Sequence, residues 1–196
     1  MVTKTVHLVR HGSHVLPPGV LAGRLSGVRL SDAGREQAYR AAERLAKAGP
    51  VDAVQCSPLE RTCETAIIIA ERLGLVPVQV DALVEISFGG WTGSSFEELE
   101  EREDWRRWNH FRSGTRPPGG ETMAEVQARA LRHMETLADG SATVLVSHCD
   151  VIRALLTHWL GMPADLLLRL EIAPASISTV EIGPWGPRIL RINEEA

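Results

Sequence analysis

Residues 6–12 read Val-His-Leu-Val-Arg-His-Gly, a short apolar run followed at once by arginine, histidine and glycine. The apolar residues predict a β-strand, so the arginine and histidine stand where the strand ends. Two further predicted strands are followed by similar residues. Arg61 comes soon after Val51–Cys56, and His148 directly follows Thr143–Ser147. Because ligands of open α/β sheets bind outside the carboxyl ends of the strands, the three junctions indicate one shared crevice.

Predicted helices alternate with these strands along the chain. The predicted helices are Asp32–Ala48, Pro58–Leu73, Thr122–Ala138 and Val151–Leu160; a further strand is Val76–Val80, and the tail forms a hairpin of Ser176–Ile182 with Arg188–Ile192. Strands that alternate with helices favour a mostly parallel sheet covered on both faces. We therefore predict an α/β fold, a three-layer α/β/α sandwich.

Local residue signals mark where several of these elements begin. Ser31 predicts the N-cap of the first helix. Ser57 and Glu60 have the spacing of a capping box, and residues 122–125 repeat that pattern before the third helix. Pro77 indicates that its strand lies at an edge of the sheet, because proline cannot donate a hydrogen bond to a neighbouring strand.

The size, charge and cysteine content narrow the class of protein. The chain has 196 residues, 44% of them apolar, which predicts a single domain over residues 1–196. A net charge of −4 gives no support to nucleic-acid binding. The longest apolar run, Ala66–Ala70, is too short to span a membrane. Three cysteines without a C-x-x-C pair encode neither a disulfide framework nor a zinc ribbon, so we expect a cytoplasmic protein.

Two arginines and two histidines at one sheet edge suit an anionic ligand. Buried like charges repel unless an anion neutralises them, and a guanidinium pairs bidentately with phosphoryl oxygens. Gly12 leaves room for the backbone to approach such a ligand. A neutral imidazole is also a usable nucleophile near neutral pH. The alternative, that each side chain is separately exposed or satisfied, fits a lone histidine better than this set of four.

Six motifs together resemble the histidine phosphatase (phosphoglycerate mutase-like) superfamily, in family order and over about residues 5–160. They are Leu8-Val9-Arg10-His11-Gly12, Leu30-Ser31-x-x-Gly34-x-x-Gln37-Ala38, Ser57-Pro58-Leu59-x-Arg61-Thr62-x-x-Thr65-Ala66, Glu85-x-x-Phe88-Gly89-x-Trp91-x-Gly93, Gly120-Glu121-Thr122 and Val146-Ser147-His148. The resemblance implies a phosphoglycerate mutase-like fold and a phosphohistidine intermediate.

The resemblance also implies a role for each site residue. His11 would be the nucleophile that accepts the phosphoryl group. Glu85 would donate a proton to the leaving alkoxide and then activate water. Further residues would clamp or contact the substrate, namely Arg10, Gly12, Gly23, Arg24, Arg61, His148 and Cys149. With two guanidiniums and a protonated His148, in-line phosphoryl transfer needs neither a metal nor a cofactor.

Departures from the family pattern favour a phosphatase over a mutase. Pro17 stands where the family often has a phosphate-binding asparagine, and Cys149 where glycine or alanine is common. Residues 85–88 read Glu-Ile-Ser-Phe, whereas mutases that recycle a bisphosphate carry Glu-Arg-His-Tyr. We therefore predict a hydrolase of small phosphomonoesters, with a small phosphorylated metabolite as its partner.

Three alternatives stay open: a phosphoglycerate mutase-type phosphotransferase, a protein phosphohistidine phosphatase, and a phosphate-binding regulator without catalysis. A homodimer is also left open. The residues 86–120 are predicted to form a lid-like insert beside Glu85. Within it Trp105, Trp108 and Phe111 recur every three residues, which favours a helix face packed on the core over a substrate wall. His14 lies three residues after His11, and we expect it to contact substrate or solvent rather than a metal.

Overall fold

The computed structural model describes residues 2–17 and 19–195, and its secondary structure follows the predicted alternation. The strands are β1 (Lys4–Arg10), β2 (Ala53–Cys56), β3 (Pro77–Gln79), β4 (Ala142–Ser147), β5 (Ile177–Gly183) and β6 (Gly186–Glu194). The α-helices are α1 (Asp32–Ala48), α2 (Glu60–Leu73), α3 (Phe96–Glu100), α4 (Glu103–His110), α5 (Met123–Thr136) and α6 (Cys149–Trp159). Short 3₁₀ turns lie at Asp81–Leu83, Gly89–Trp91 and Ala164–Arg169.

The six strands form one sheet in the order β3-β2-β4-β1-β5-β6. The first four are mutually parallel, and β5 and β6 are antiparallel additions at one edge. One apolar core joins α1 and α2 to one face of the sheet, and a second joins α5, α6 and the 86–120 segment to the other. The predicted α/β/α sandwich is confirmed.

The register of the parallel strands places three functional junctions side by side. Arg10 at the end of β1 is aligned with Ser147 at the end of β4, and Cys56 at the end of β2 is aligned with Val146. The loops that leave these strands therefore start at the same edge of the sheet. His11, Arg61 and His148 therefore lie near that edge, where a shared crevice is predicted from the sequence.

Most of the local signals have the predicted effect. The Ser31 hydroxyl accepts a hydrogen bond from Gly34 N at 3.1 Å and caps α1. Thr122 and Glu125 form the predicted capping box of α5. Proline 77 lies in the edge strand β3. The chain turns between β5 and β6 at Pro184 and Trp185, which confirms the hairpin.

The predicted capping box of α2 is wrong. The helix begins at Glu60 with Leu59 as its N-cap, and no side chain caps it. Both predicted capping groups have partners elsewhere. The Ser57 hydroxyl hydrogen-bonds His148 Nε2 at 2.8 Å, and Glu60 Oε1 accepts from Gly27 N at 2.8 Å. These tertiary partners outweigh a local preference whose usual value is about 1 kcal/mol.

The aromatic residues of the 86–120 segment pack mainly into the core. Trp91, Trp105 and Trp108 are all buried, and the Trp91 ring lies edge-on to both of the others. Core packing is thus confirmed for two of the three residues spaced by three. The prediction is wrong for Phe111, which follows the end of α4 and is 46% exposed.

Gly12 and Gly34 fix the approach of the loop after β1 to the first turn of α1. A Cβ on Gly12 would lie 2.4 Å from the Gly34 carbonyl oxygen, and a Cβ on Gly34 would lie 1.9 Å from the Ser13 carbonyl oxygen. Since neither backbone can yield cheaply, both positions require glycine. Gly12 therefore leaves room for another segment of this chain, which corrects the expectation that it leaves room for a ligand.

Candidate active site

A cavity of about 540 Å³ opens at the carboxyl edge of the sheet. Six of the predicted site residues line it, namely Arg10, His11, Gly23, Arg61, Glu85 and Cys149, and His14 does so as well. His148 is fully buried and reaches this group through Arg61 and Glu85. The structure therefore brings the residues from three strand ends to one place.

The His11 ring is held in the orientation that a nucleophile needs. Its Nδ1 lies 2.8 Å from the carbonyl oxygen of Gly12, which can only accept, so Nδ1 carries the proton and donates it. The lone pair is then on Nε2, where Arg61 Nε donates at 3.2 Å. Burial, with the charge of Arg61 adding to it, holds the His11 pKa well below its ordinary value. His11 is therefore a neutral imidazole with Nε2 turned toward Arg61.

Arg61 connects the two central histidines from the first turn of α2. One of its terminal nitrogens, Nη2, donates to the carbonyl oxygen of Gly23 at 2.7 Å and also lies 3.2 Å from His148 Nδ1. Because a guanidinium only donates, His148 Nδ1 must accept, and its Nε2 donates to the Ser57 hydroxyl at 2.8 Å. The sequence identified Arg61 and His148 but assigned Ser57 to a helix cap.

The surroundings of His148 do not favour its expected protonated form. Burial, and then the neighbouring His11 and Arg61, hold the His148 pKa well below its ordinary value. These surroundings favour the neutral imidazole. A bound phosphate dianion would raise this pKa, since a nearby negative charge favours the charged form of histidine.

Two buried guanidinium N–H groups of the site lack partners among the residues that the structure describes. They are Arg10 Nε and Arg61 Nη1. Arg10 is oriented from the side by its Nη1, which donates to the Ile172 carbonyl oxygen at 2.6 Å. A buried donor without an acceptor costs about 1–3 kcal/mol, so such donors are typical of a place that receives an anion.

Glu85 lies beside His148 in a nearly closed environment. Its Oε1 accepts from Ile86 N at 2.9 Å, and its Oε2 is 4.0 Å from His148 Nδ1. Burial, with the nearby Asp150 carboxylate adding to it, raises the pKa of Glu85 to about 7 against the opposing charge of Arg61. A carboxyl with this pKa can release a proton to a leaving group near neutral pH and take one back from water.

This pKa predicts an alkaline limit to catalysis. If protonated Glu85 is the acid, kcat/KM for an alkyl phosphate falls as the pH rises through about 7, because the carboxyl loses the proton that it must donate. Above that limit the fall approaches about tenfold per pH unit. The measurement is kcat/KM between pH 5 and 9, with p-nitrophenyl phosphate as the control whose leaving group needs little proton donation. A flat profile for the alkyl ester to pH 9 would contradict the assignment.

Besides the buried His148, two predicted substrate-contacting residues, Gly12 and Arg24, do not line the cavity. Gly12 packs against Gly34, as described above. Arg24 donates from Nε to the Glu85 carbonyl oxygen at 2.6 Å and from Nη2 to Glu121 at 2.5 Å. Arg24 therefore supports the backbone beneath Glu85 instead of facing the cavity.

Asp150 and its two arginines are site neighbours that the sequence analysis missed. Asp150 lines the cavity, and its carboxylate is paired with Arg112 at 2.8 Å and with Arg153 at 3.4 Å. Burial opposes ionisation of Asp150, but the two guanidiniums outweigh it and lower the Asp150 pKa. Its position two residues after His148, at the same strand-to-helix junction, was the available signal.

No group of three or more metal-ligating side chains occurs within residues 2–17 and 19–195. His14 lines the cavity with its ring centroid 5.5 Å from that of His11. Its position agrees with the expected contact to substrate or solvent.

Within those same ranges, no helix is both long and apolar enough to cross a membrane.

Comparison with known proteins relates the chain to curated enzymes. A bifunctional protein of Mycobacterium tuberculosis is 35% identical over 190 residues, which make up 94% of this chain but 52% of that protein. The chain thus spans about half the length of this relative. Phosphoserine phosphatase 1 of Hydrogenobacter thermophilus is 32% identical over 194 residues, which make up 95% of this chain and 90% of that protein. Other relatives are named as probable phosphoglycerate mutases.

A solved structure gives the same relation in three dimensions. It is a mycobacterial glucosyl-3-phosphoglycerate phosphatase in complex with inorganic phosphate, with a TM-score of 0.83 and 29% identity over 97% of each chain. The family model of the histidine phosphatase superfamily (branch 1) matches residues 6–195. Since that match takes in both sheet edges and every junction of the site, the chain belongs to the histidine phosphatase superfamily, branch 1.

Proposed function

We propose that the protein hydrolyses small phosphomonoesters through a phosphohistidine formed on His11. The observation that carries this proposal is the geometry around His11 Nε2. Its lone pair accepts a hydrogen bond from Arg61 Nε, and the buried Arg10 Nε and Arg61 Nη1 have no partner among the described residues. Phosphoryl oxygens bound to these guanidiniums would take over the Arg61 Nε hydrogen and free the lone pair for attack. A phosphoryl group placed there would give oxygens to the guanidiniums and its phosphorus to the imidazole.

The first step transfers the phosphoryl group to the enzyme. His11 Nε2 attacks the phosphorus, and the bond to the ester oxygen breaks on the opposite side. Arg10 and Arg61 neutralise charge on the transferring oxygens, while Glu85 gives its proton to the departing oxygen. The products of this step are an alcohol, phosphorylated His11 and ionised Glu85.

The second step returns the enzyme to its starting state. The Glu85 carboxylate takes a proton from water as the water oxygen attacks phosphorylated His11. Phosphate leaves, Nε2 regains its lone pair, and Glu85 is protonated again. A pKa of about 7 suits both directions of this proton transfer. Hydrolysis thus needs no group beyond the side chains of the site.

The proposed function predicts steady release of phosphate in the presence of excess EDTA. The guanidiniums do the charge neutralisation that a metal ion does in other phosphatases, so the rate with p-nitrophenyl phosphate should change less than about twofold. Loss of activity that Mg²⁺ or Zn²⁺ restores would place the protein in a different class of phosphatase.

Release without added bisphosphate separates hydrolysis from the mutase alternative, in which phosphoglycerate isomers interconvert and little phosphate appears.

The substrate class is a small phosphorylated metabolite, and the compartment is the cytoplasm. All three cysteines are free thiols. This pattern is typical of a reducing compartment, which supports the proposed location in the cytoplasm.

A further inference from the structure

The walls of the active-site cavity change character beyond the phosphoryl position. Around His11 the lining is cationic and polar. The rest of the lining includes a group of apolar residues, namely Leu16, Pro17, Val20, Leu21, Phe88 and Phe96, together with the polar residues His14, Asp150 and Arg153. Since the phosphoryl group occupies the cationic part, the alcohol portion of the ester must extend along the apolar part.

Backbone hydrogen bonds hold this apolar wall in place. Leu21 N donates to the Ser94 carbonyl oxygen and Gly93 N donates to the Leu21 carbonyl oxygen, both at 2.9 Å. Phe96 N donates to the Gly19 carbonyl oxygen at 2.6 Å. The segment before α1 and the start of α3 are therefore joined into one surface.

Charged groups in the outer cavity do not suit a second anionic group. Among the described lining residues outside the phosphoryl position, Arg153 is the one permanent cation. Its Nε donates to the Leu170 carbonyl oxygen at 2.8 Å, and its Nη1 pairs with Asp150. His14 is neutral, because burial and the nearby Arg61 lower its pKa. The Asp150 carboxylate is in turn paired with Arg112 and Arg153, so the one cation of this wall is already engaged and is not free for a second anionic group.

The outer end of the cavity also exposes apolar surface to solvent. Phe96 is 43% exposed although it lines the cavity, and Pro17 is exposed beside it. An exposed apolar patch at the edge of a binding site favours a ligand that covers it. Covering Phe96 would remove apolar area from water, which a charged alcohol cannot do as well.

We propose, on the basis of the phosphatase function above, that the preferred substrates are phosphomonoesters with an apolar leaving group and no second anionic group. Leu16, Val20 and Phe96 would bind the chain of that leaving group. This wall, unlike the cationic part around His11, is what selects among esters.

The test compares leaving groups on the full chain by release of phosphate. Burial of one methylene is worth up to about a fourfold gain in kcat/KM, so hexyl phosphate should exceed ethyl phosphate by at least about tenfold. Propyl phosphate and 3-phosphoglycerate have three-carbon leaving groups that differ in charge. We expect 3-phosphoglycerate to be at least about tenfold poorer than propyl phosphate, because its carboxylate would lose water and gain no free cation in the outer cavity.

Two phenylalanines of similar exposure supply a matched pair of variants. Phe96→Ala should lower the hexyl-to-ethyl ratio of kcat/KM at least about threefold, since it removes part of the wall. Phe111→Ala removes a side chain that is 46% exposed but does not line the cavity, and the ratio should stay unchanged.

The outcomes separate this inference from the proposed function. A flat alkyl series, a 3-phosphoglycerate rate above that of propyl phosphate, or equal ratios in the two variants would overturn the inference while leaving the phosphatase function intact. If none of these esters released phosphate, both the inference and the proposed phosphatase function would be overturned.

Discussion

Replacing His11 by alanine should reduce kcat for every phosphomonoester by about 10⁴-fold or more. The reason is that His11 supplies the covalent step, and no described side chain near it offers a second unprotonated nitrogen in the same position. Its Nε2 is the atom that lies beside the Arg61 guanidinium, and its other nitrogen is used by the Gly12 carbonyl. The measurement is phosphate release over hours at high enzyme concentration, with acid-labile phosphohistidine followed in parallel.

His14→Ala is the control for this variant. His14 lines the same cavity, with its ring 5.5 Å from that of His11, yet it has no role in the covalent step. We expect its kcat to fall by less than about tenfold, because it loses one contact and keeps the nucleophile. Circular dichroism should show both variants folded. Substantial turnover by the His11 variant would exclude the phosphohistidine mechanism.

Glu85→Gln should slow alkyl phosphates by about 10²–10⁴-fold in the phosphorylation step. An alkoxide is a poor leaving group and needs the proton of Glu85 as its bond to phosphorus breaks. Nitrophenolate leaves without much help, so p-nitrophenyl phosphate should slow only severalfold in that step. Glutamine keeps the shape of the side chain and retains an oxygen to accept from Ile86 N, so the comparison isolates the proton.

The measurement for this variant is the single-turnover burst. Glu85 also activates water in the proposed second step, and the burst separates phosphorylation from hydrolysis of phosphorylated His11. Equal slowing of both bursts would mean that Glu85 only organises the pocket. Glu121 is a poor substitute acid, because its carboxylate accepts from Arg24, Arg129 and Ser87 N and does not line the cavity.

The parts of the fold that the sequence predicts well depend on local chemistry. The bounds of α1 agree with Asp32–Ala48, because Ser31 has no competing partner for its capping role beyond its own helix and the adjacent loop. The capping box of α5 is confirmed for the same reason. Ser57 shows the limit of this reasoning. Its hydroxyl can hydrogen-bond either the N-terminus of a helix or His148, and only the folded chain brings His148 near.

The site residues likewise differ in whether their positions follow from local sequence or from tertiary contacts. Arg10, His11 and His148 directly follow predicted strands, so their placement follows from the topology of a parallel sheet. Arg24 lies in an irregular loop, and nothing in its neighbours reveals that it turns toward Glu121. Asp150 is adjacent in sequence to the site, but its partner Arg112 is 38 residues away, and that pairing is a tertiary contact.

The Arg112–Asp150 pair also bears on how the 86–120 segment moves. The two charges are buried at 5% and 9% exposure, and the Arg112 guanidinium lies over the Trp108 ring, 4.9 Å from its centroid. Lifting this part of the segment would break the buried ion pair and expose the Trp108 ring to water, and the loss of buried apolar area opposes such a movement. Residues 105–112 thus form a fixed wall that holds Asp150 in place at the start of α6, at the margin of the cavity.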